Sequence, residues 1–255
     1  LRESAGALRF GDGDSTGEIV DYAVKMRQFD RRHELAALLA SGEVRRREIA
    51  ALAELIADFH GGAAVIAYPD PLGEPAQVEG LLQRNLDELA ELCAAQDLRR
   101  LAPLRDWIQQ ELAELAPLLA QRKSAGRIRD GHGDLHARNI VRWQGRLVPF
   151  DCLEFDAGLR CGDVALDLAF LYMDLLSKQR PDLAAVLLDR YLDRSGDYDA
   201  LRVLDLYAEG FEPCLTAEER RRYDDDPPPD PAALDPRLTP HLEALARRGA
   251  RAPLG

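Results

Sequence analysis

Gly131-His132-Gly133-Asp134-Leu135-His136-Ala137-Arg138-Asn139-Ile140, followed by Phe150-Asp151, is the stretch on which the reading of this chain turns. It sets a carboxylate (Asp134), an amide five positions later (Asn139) and a second carboxylate twelve positions after that (Asp151). The residues between them say how the three come together. Ile140–Trp143 and Arg146–Phe150 read as two short strands, and Gln144-Gly145 is a two-residue turn between them. Pairing across that turn sets Trp143 opposite Arg146 and Asn139 opposite Phe150. With paired strands about 5 Å apart, Asn139 and Asp151 leave the open end of the hairpin side by side. An amide oxygen and a carboxylate there suit one or two Mg²⁺ ions, which take hard oxygen ligands and bridge nucleotide phosphates. Asp134, on the loop entering the hairpin, faces the same point and is a candidate base for an attacking hydroxyl.

The Asp-to-Asn spacing is that of the protein-kinase catalytic loop, with His-Gly-Asp-Leu-His in place of His-Arg-Asp-Leu. The stretch continues with Phe150-Asp151-Cys152-Leu153-Glu154-Phe155 and with Asp163-Val164-Ala165-Leu166-Asp167-Leu168-Ala169-Phe170-Leu171-Tyr172-Met173-Asp174-Leu175. On these elements the chain resembles the aminoglycoside phosphotransferase and choline kinase-like family of the protein-kinase-like superfamily. Within it, the resemblance is to a bacterial branch often fused to a P-loop kinase domain. The match is close over residues 127–176 and looser over 17–126. A lone His-Gly-Asp is a weak signal, whereas four spaced elements in one order are specific.

The resemblance implies an α+β, two-lobed protein-kinase-like fold that uses ATP and Mg²⁺. The N-lobe would be truncated to a β remnant (residues 1–30, with the hinge). A mostly helical C-lobe (31–210) would carry the catalytic hairpin, and a Pro/Asp/Arg-rich tail (211–255) would follow, disordered or misread. Asp134 takes the role of general base, and Asn139 and Asp151 those of metal ligands. His132 and His136 shape the loop. Asp167 becomes a buried anchor for the loop backbone, since a carboxylate in an apolar run is costly unless paired. Helix capping accounts for Asp163. Glu154 and Asp156 are either substrate contacts or solvated carboxylates.

The amino-terminal part departs from the family pattern. Leu8–Phe10 and Ile19–Met26 read as two strands joined by the Gly/Asp-rich turn Gly11–Gly17. Tyr22-Ala23-Val24-Lys25 invites comparison with the kinase lysine strand. In the family, however, that lysine lies further upstream and precedes a helix with its glutamate partner, and residues 34–60 run directly into helices. The segment is therefore read as the strand entering the hinge. Met26, Arg27 and Gln28 then become the adenine-binding residues, and Lys25 a strand residue. The chain begins with Leu1 rather than Met and lacks Gly-x-x-x-x-Gly-Lys-Ser/Thr, so a fragment of a longer protein is expected.

Composition sets the remaining limits. A net charge of −12 argues against broad binding to nucleic-acid backbone and is compatible with a cationic acceptor. No apolar run of membrane-spanning length and no signal peptide occurs, so a cytoplasmic protein is expected. The cysteines Cys93, Cys152, Cys161 and Cys214 lack metal-type spacing. Helical spacing predicts helices over 34–40, 43–60, 76–96, 102–122, 164–178, 181–194 and about 198–208. The charged residues of 76–96 and 102–122 read as solvated faces, and His60 as a packed or capping histidine.

The expected reaction is transfer of the γ-phosphoryl group of Mg-ATP to a hydroxyl of a small molecule, such as an aminoglycoside or aminosugar. A second reading is a catalytically incomplete kinase-derived fragment that binds nucleotide weakly or serves as an interaction module. A third, a metallophosphoesterase, is suggested by Gly133-Asp134-Leu135-His136, but after His136 the one remaining histidine is His241. That leaves too few imidazoles for a binuclear site.

Overall fold

The computed structural model of the chain describes residues 2–4, 7–9, 18–19, 28–92 and 98–223. They fall into two units, residues 1–31 and 32–255. The first holds a three-stranded antiparallel sheet of β1 (Arg2–Ser4), β2 (Ala7–Arg9) and β3 (Glu18–Ile19), in the order β2-β1-β3. Arg2 lies opposite both Arg9 and Ile19. Among the described residues the predicted strands at 8–10 and 19–26 do not pair directly, since Ala7–Arg9 and Glu18–Ile19 each pair with β1; positions 10 and 20–26 lie outside the described residues. Closing β1 on β2 spans only residues 5–6, a shorter loop than 11–17 and so cheaper to close. A three-residue strand such as β1 carries too little alternation to be recognised in sequence.

The second unit is mostly helical. Its elements begin with α1 (Leu35–Ala40), α2 (Arg46–Gly62), α3 (Pro75–Leu92), α4 (Leu98–Ser124) and β4 (Ile128–Asp130). The hairpin β5 (Ile140–Trp143) and β6 (Arg146–Pro149) follows, then α5 (Ala157–Arg160) and β7 (Cys161–Asp163). The unit closes with α6 (Val164–Ser177), α7 (Pro181–Ser195) and α8 (Ala200–Tyr223). One apolar core runs from Leu35 through Ile49, Leu82, Leu104, Leu168 and Leu187 to Phe211. The helices α2 and α7 pack on each other, as do α6 and α8, and α8 also meets α3 and α4. The helix α6 is buried along most of its length, from Val164 to Leu175, which suits its near-continuous apolar sequence.

The helices α4 and α8 depart most from their expected limits, and α2 is shifted to Arg46–Gly62 from the expected 43–60. The helix α4 begins at Leu98 rather than at Ala102, because Leu101 and Leu104 are both drawn into the core around Pro103. The helix α8 runs on to Tyr223, well past the expected end near 208. Residues 224–255 of the Pro/Asp/Arg-rich segment lie outside the described residues. Among the described residues no helix is long and apolar enough to cross a membrane.

Two short sheets position the site. In the hairpin, Trp143 opposes Arg146 and Ile140 opposes Pro149. Gln144 and Gly145 both have positive φ (49° and 79°), the geometry of a tight hairpin turn whose twist matches its strands. Arg142 of β5 reaches Glu48 at the start of α2 (2.9 Å) and fastens the hairpin to the helical body. The strand β4 pairs with β7, Ile128 opposite Asp163. On its other side β4 pairs with residues 64–66, through Ile66 N–H to Ile128 O and Asp130 N–H to Ala64 O (both 2.9 Å). Both strands escape a periodicity search because each has only three residues.

Candidate active site

The loop Gly131–Asn139 leaves β4 and enters the hairpin, and its shape is imposed by α6. Asp167, buried at 5% exposure, accepts hydrogen bonds from the backbone N–H of His132 (2.7 Å) and of Gly133 (2.8 Å). Burial pushes the Asp167 carboxyl up. The hydrogen bond from His60, then those from the two loop amides, outweigh it and hold the group below the ordinary carboxylate value. The two glycines follow from this anchoring. A Cβ on Gly131 would lie 2.6 Å from Asp167 Oδ2, and Gly133 adopts φ +79° against the backbone of Arg160. Asp174, two turns further along α6, accepts from Ala137 N–H (2.6 Å) and holds the 3₁₀ turn Ala137–Asn139.

Asp134 is held at both carboxylate oxygens. The Asn139 amide nitrogen donates to Asp134 Oδ2 (2.9 Å) and to the Asp134 backbone carbonyl (3.0 Å). Both partners are acceptors, so only the NH₂ end of Asn139 can face them. The Asn139 carbonyl oxygen is thereby left for another partner. His136 Nδ1 accepts from Arg138 N–H (3.2 Å), which assigns the ring proton to Nε2, 3.4 Å from Asp134 Oδ1.

His132 ties this loop to the end of the hairpin. Its Nε2 donates to Phe150 O (2.9 Å), its Nδ1 accepts from Asp134 N–H (3.3 Å) and its carbonyl accepts from Leu153 N–H (3.0 Å). Those contacts bracket Asp151. Asp151 is exposed and sits in the left-handed region (φ 61°), which aspartate tolerates better than most residues and which ends the extended run of β6. Phe150 N–H donates to Asn139 O (2.9 Å), so the pairing expected between positions 139 and 150 is formed. An amide oxygen and one exposed carboxylate fit a Mg²⁺ ion, which binds through one or two carboxylates plus substrate phosphates rather than in an all-protein cage. Among the described residues no group of three or more His, Cys, Asp or Glu side chains is arranged to hold a metal.

The neighbouring acidic residues divide. Asp156 caps α5 by accepting from Gly158 N–H (2.7 Å), so capping occupies it as it does Asp163. Glu154 is exposed, and its carbonyl accepts from Arg160 (3.2 Å). Arg160 also holds Leu153 O (2.8 Å) and the Asp130 carboxylate, and the hydrogen bond to Asp130 raises its pKa. The segment after Asp151 is thereby fastened to β4, a role the sequence did not reveal. Of the hinge residues, Gln28 is exposed; Met26, Arg27 and Lys25 lie outside the described residues.

Asp163 does more than cap. It accepts from Ala165 N–H (2.9 Å), as expected, but also takes Arg122 Nε and Nη2 (2.7 Å each) and Tyr207 Oη (3.2 Å). Arg122 makes a second bidentate pair with Asp197 (2.8 Å each). The reading of the charges of 102–122 as a solvated face therefore fails at Arg122, 2% exposed; Lys123, just beyond that range, is equally buried. Lys123 donates to Leu72 O (2.8 Å) and lies over the Tyr68 ring, fixing the Pro/Gly-rich loop after α2. Helical periodicity could not reveal this, since the partners lie 41 to 75 positions away.

A sequence profile of the phosphotransferase enzyme family matches residues 22–204. The chain belongs to that family. Uncharacterised proteins of Mycobacterium tuberculosis and Mycobacterium bovis are 33% identical to this phosphotransferase-family chain over 197 residues. The matched region is 76% of this chain and 39% of each relative, so the chain spans about two fifths of the length of these curated relatives. Among solved structures, a glucosamine kinase superposes with a TM-score of 0.51 at 20% identity, over 86% of this chain and 57% of that one. The likeness concerns the fold, which is the protein-kinase-like α+β architecture.

Proposed function

We propose that this family member transfers the γ-phosphoryl group of Mg-ATP to a hydroxyl of a small, sugar-like or amine-bearing molecule. The observation that carries the reading is the fixed carboxylate of Asp134. It is oriented by Asn139 and His136 on a loop that His132 locks to the strand end preceding Asp151. In the proposed reaction the acceptor hydroxyl gives its proton to Asp134 while its oxygen attacks the γ-phosphorus. The new O–P bond forms as the bond to the bridging oxygen of ADP breaks, and ADP leaves. Asn139 Oδ1 and the Asp151 carboxylate would hold Mg²⁺, whose contribution when bound is to neutralise phosphate charge. His136 and Asn139 keep Asp134 aimed, and Asp167 keeps the loop from drifting. Positioning of this kind accounts for much of the rate in phosphoryl transfer.

Family membership supports a small-molecule kinase, and the name of the glucosamine kinase neighbour supports an aminosugar as the first acceptor to try. The net charge of −12 suits a cationic acceptor. Labelled ATP incubated with Mg²⁺ and a panel of aminosugars, aminoglycosides and amino alcohols tests the reading. Transfer to at least one of them, lost in Asp134→Asn, is expected. ATP binding without transfer to any acceptor would favour the second reading, a nucleotide-binding module.

A further inference from the structure

Asp167 has a third partner that loop anchoring does not require. His60, on the last turn of α2, places Nε2 3.2 Å from Asp167 Oδ2, and its Nδ1 lies 2.8 Å from the hydroxyl of Tyr191 on α7. The three side chains come from three helices and are all buried, at 3% exposure for His60, 1% for Tyr191 and 5% for Asp167. Such polar groups stay buried only when their hydrogen bonds are complete.

The chemistry of each atom fixes the direction of the chain. An ionised carboxylate only accepts, so His60 Nε2 must carry a proton. Two loop amides and His60 Nε2–H together give Asp167 three donors. Nδ1 of the neutral ring is an acceptor, and the Tyr191 hydroxyl is the donor facing it. Burial pushes the Tyr191 phenol well above its ordinary value, with Asp197, Asp163 and Asp167 adding to the effect, so it stays protonated. Every donor then meets an acceptor, from Tyr191 through His60 and Asp167 to the amides of His132 and Gly133.

We propose that His60 is a positioning residue, held by Tyr191 as the Nε2–H tautomer so that it fixes Asp167 and, through Asp167, the backbone carrying Asp134. The α2–α7 packing thereby sets the geometry of the candidate catalytic loop. The effect on turnover rests on the phosphotransfer reading; the tautomer and the loop hydrogen bonds do not.

Two measurements on the whole chain test it. Nitrogen-15 NMR reads the His60 tautomer, and amide hydrogen exchange reads the His132 and Gly133 bonds. The expected wild-type state is neutral Nε2–H. In His60→Leu, exchange of the two amides should quicken about tenfold or more, the effect of losing one charge-assisted hydrogen bond. In His60→Gln, whose side-chain amide donates from near the Nε2 position, exchange should stay within about threefold of wild type by the same reasoning. Tyr191→Phe, which keeps the ring, should move the Nδ1 resonance downfield to that of a nitrogen with no donor facing it. If phosphotransfer is present, kcat should fall in His60→Leu, with the KM for ATP unchanged and partial rescue by Gln. The proposal is overturned by an Nδ1–H tautomer or a doubly protonated ring at neutral pH, by an unmoved Nδ1 resonance in Tyr191→Phe, or by unchanged exchange in folded His60→Leu.

Discussion

Replacing Arg122 with Met tests whether charge buried away from the site sustains the fold that presents it. The guanidinium is 2% exposed and makes four hydrogen bonds of 2.7–2.8 Å, two to Asp163 and two to Asp197. Burial alone would lower its pKa. The bonds and charges of Asp163 and then Asp197 outweigh that and hold it above the ordinary arginine value, so the group is a fixed cation. Met fills a similar volume but removes the cation that Asp163 and Asp197 share, leaving Asp197 with Arg127 at 3.6 Å. Asp163 keeps only Tyr207 Oη and Ala165 N–H among its partners here. Breaking a buried pair by removing one partner costs about 3–5 kcal/mol, a large part of a typical total of about 5–15 kcal/mol. For a chain of this size that corresponds to a midpoint lowered by roughly 6–20 °C. Urea and thermal unfolding followed by circular dichroism read the change. Adding Asp197→Asn to the variant should recover part of the loss, because one of the two buried carboxylates that lost the Arg122 cation is neutralised. A loss below about 1 kcal/mol, the range of exposed ion pairs, would refute the claim that this network is a buried, mutually dependent unit. Since Asp163 ends β7 and β4 leads into Gly131, the same variant should also speed amide exchange at His132.

Other changes probe the loop itself. Gly131→Ala places a Cβ 2.6 Å from Asp167 Oδ2; the enforced shift should cost about 1–3 kcal/mol in urea unfolding, as overpacking does elsewhere, and an effect near zero would show that the loop has slack. Asp167 is held below its ordinary value, so its stabilising contribution is fully present above the unfolded value of about 3.9 and is lost as pH falls through the lower folded value. The stability gap between wild type and Asp167→Asn should accordingly be constant near neutrality and narrow on acidification below about pH 4; a gap unchanged down to pH 3 would contradict the assignment. Lys123→Met should loosen residues 68–74, detected as faster amide exchange in that loop, because the ammonium bridges its carbonyls.

The hairpin was legible because Gln144-Gly145 is a two-residue turn, and a turn of fixed length fixes the register from Trp143–Arg146 to Asn139–Phe150. The same register brings the Asn139 and Asp151 ends of the strands together. Helices α1, α2, α6 and α7 were legible from apolar spacing and from Gly and Pro punctuation. Missing from the sequence reading were the features that depend on distant partners. Arg122 and Lys123 look like surface charges of an amphipathic helix, and only tertiary contacts with Asp163, Asp197 and Leu72 show that they are buried. His60 reads as a packed histidine, and its link to Asp167 and Tyr191 spans more than 100 positions. Strands β1, β4 and β7 have three residues each, too few for alternation to register.

Calorimetric titration of the chain with ATP, with and without Mg²⁺, tests the central claim most directly when run on wild type, Asp151→Ala and Asp134→Asn. The account predicts binding that requires Mg²⁺, disappears in Asp151→Ala and survives in Asp134→Asn. Binding indifferent to Mg²⁺ and to Asp151, or lost equally in both variants, would contradict the division of roles between the metal-holding residues and the base.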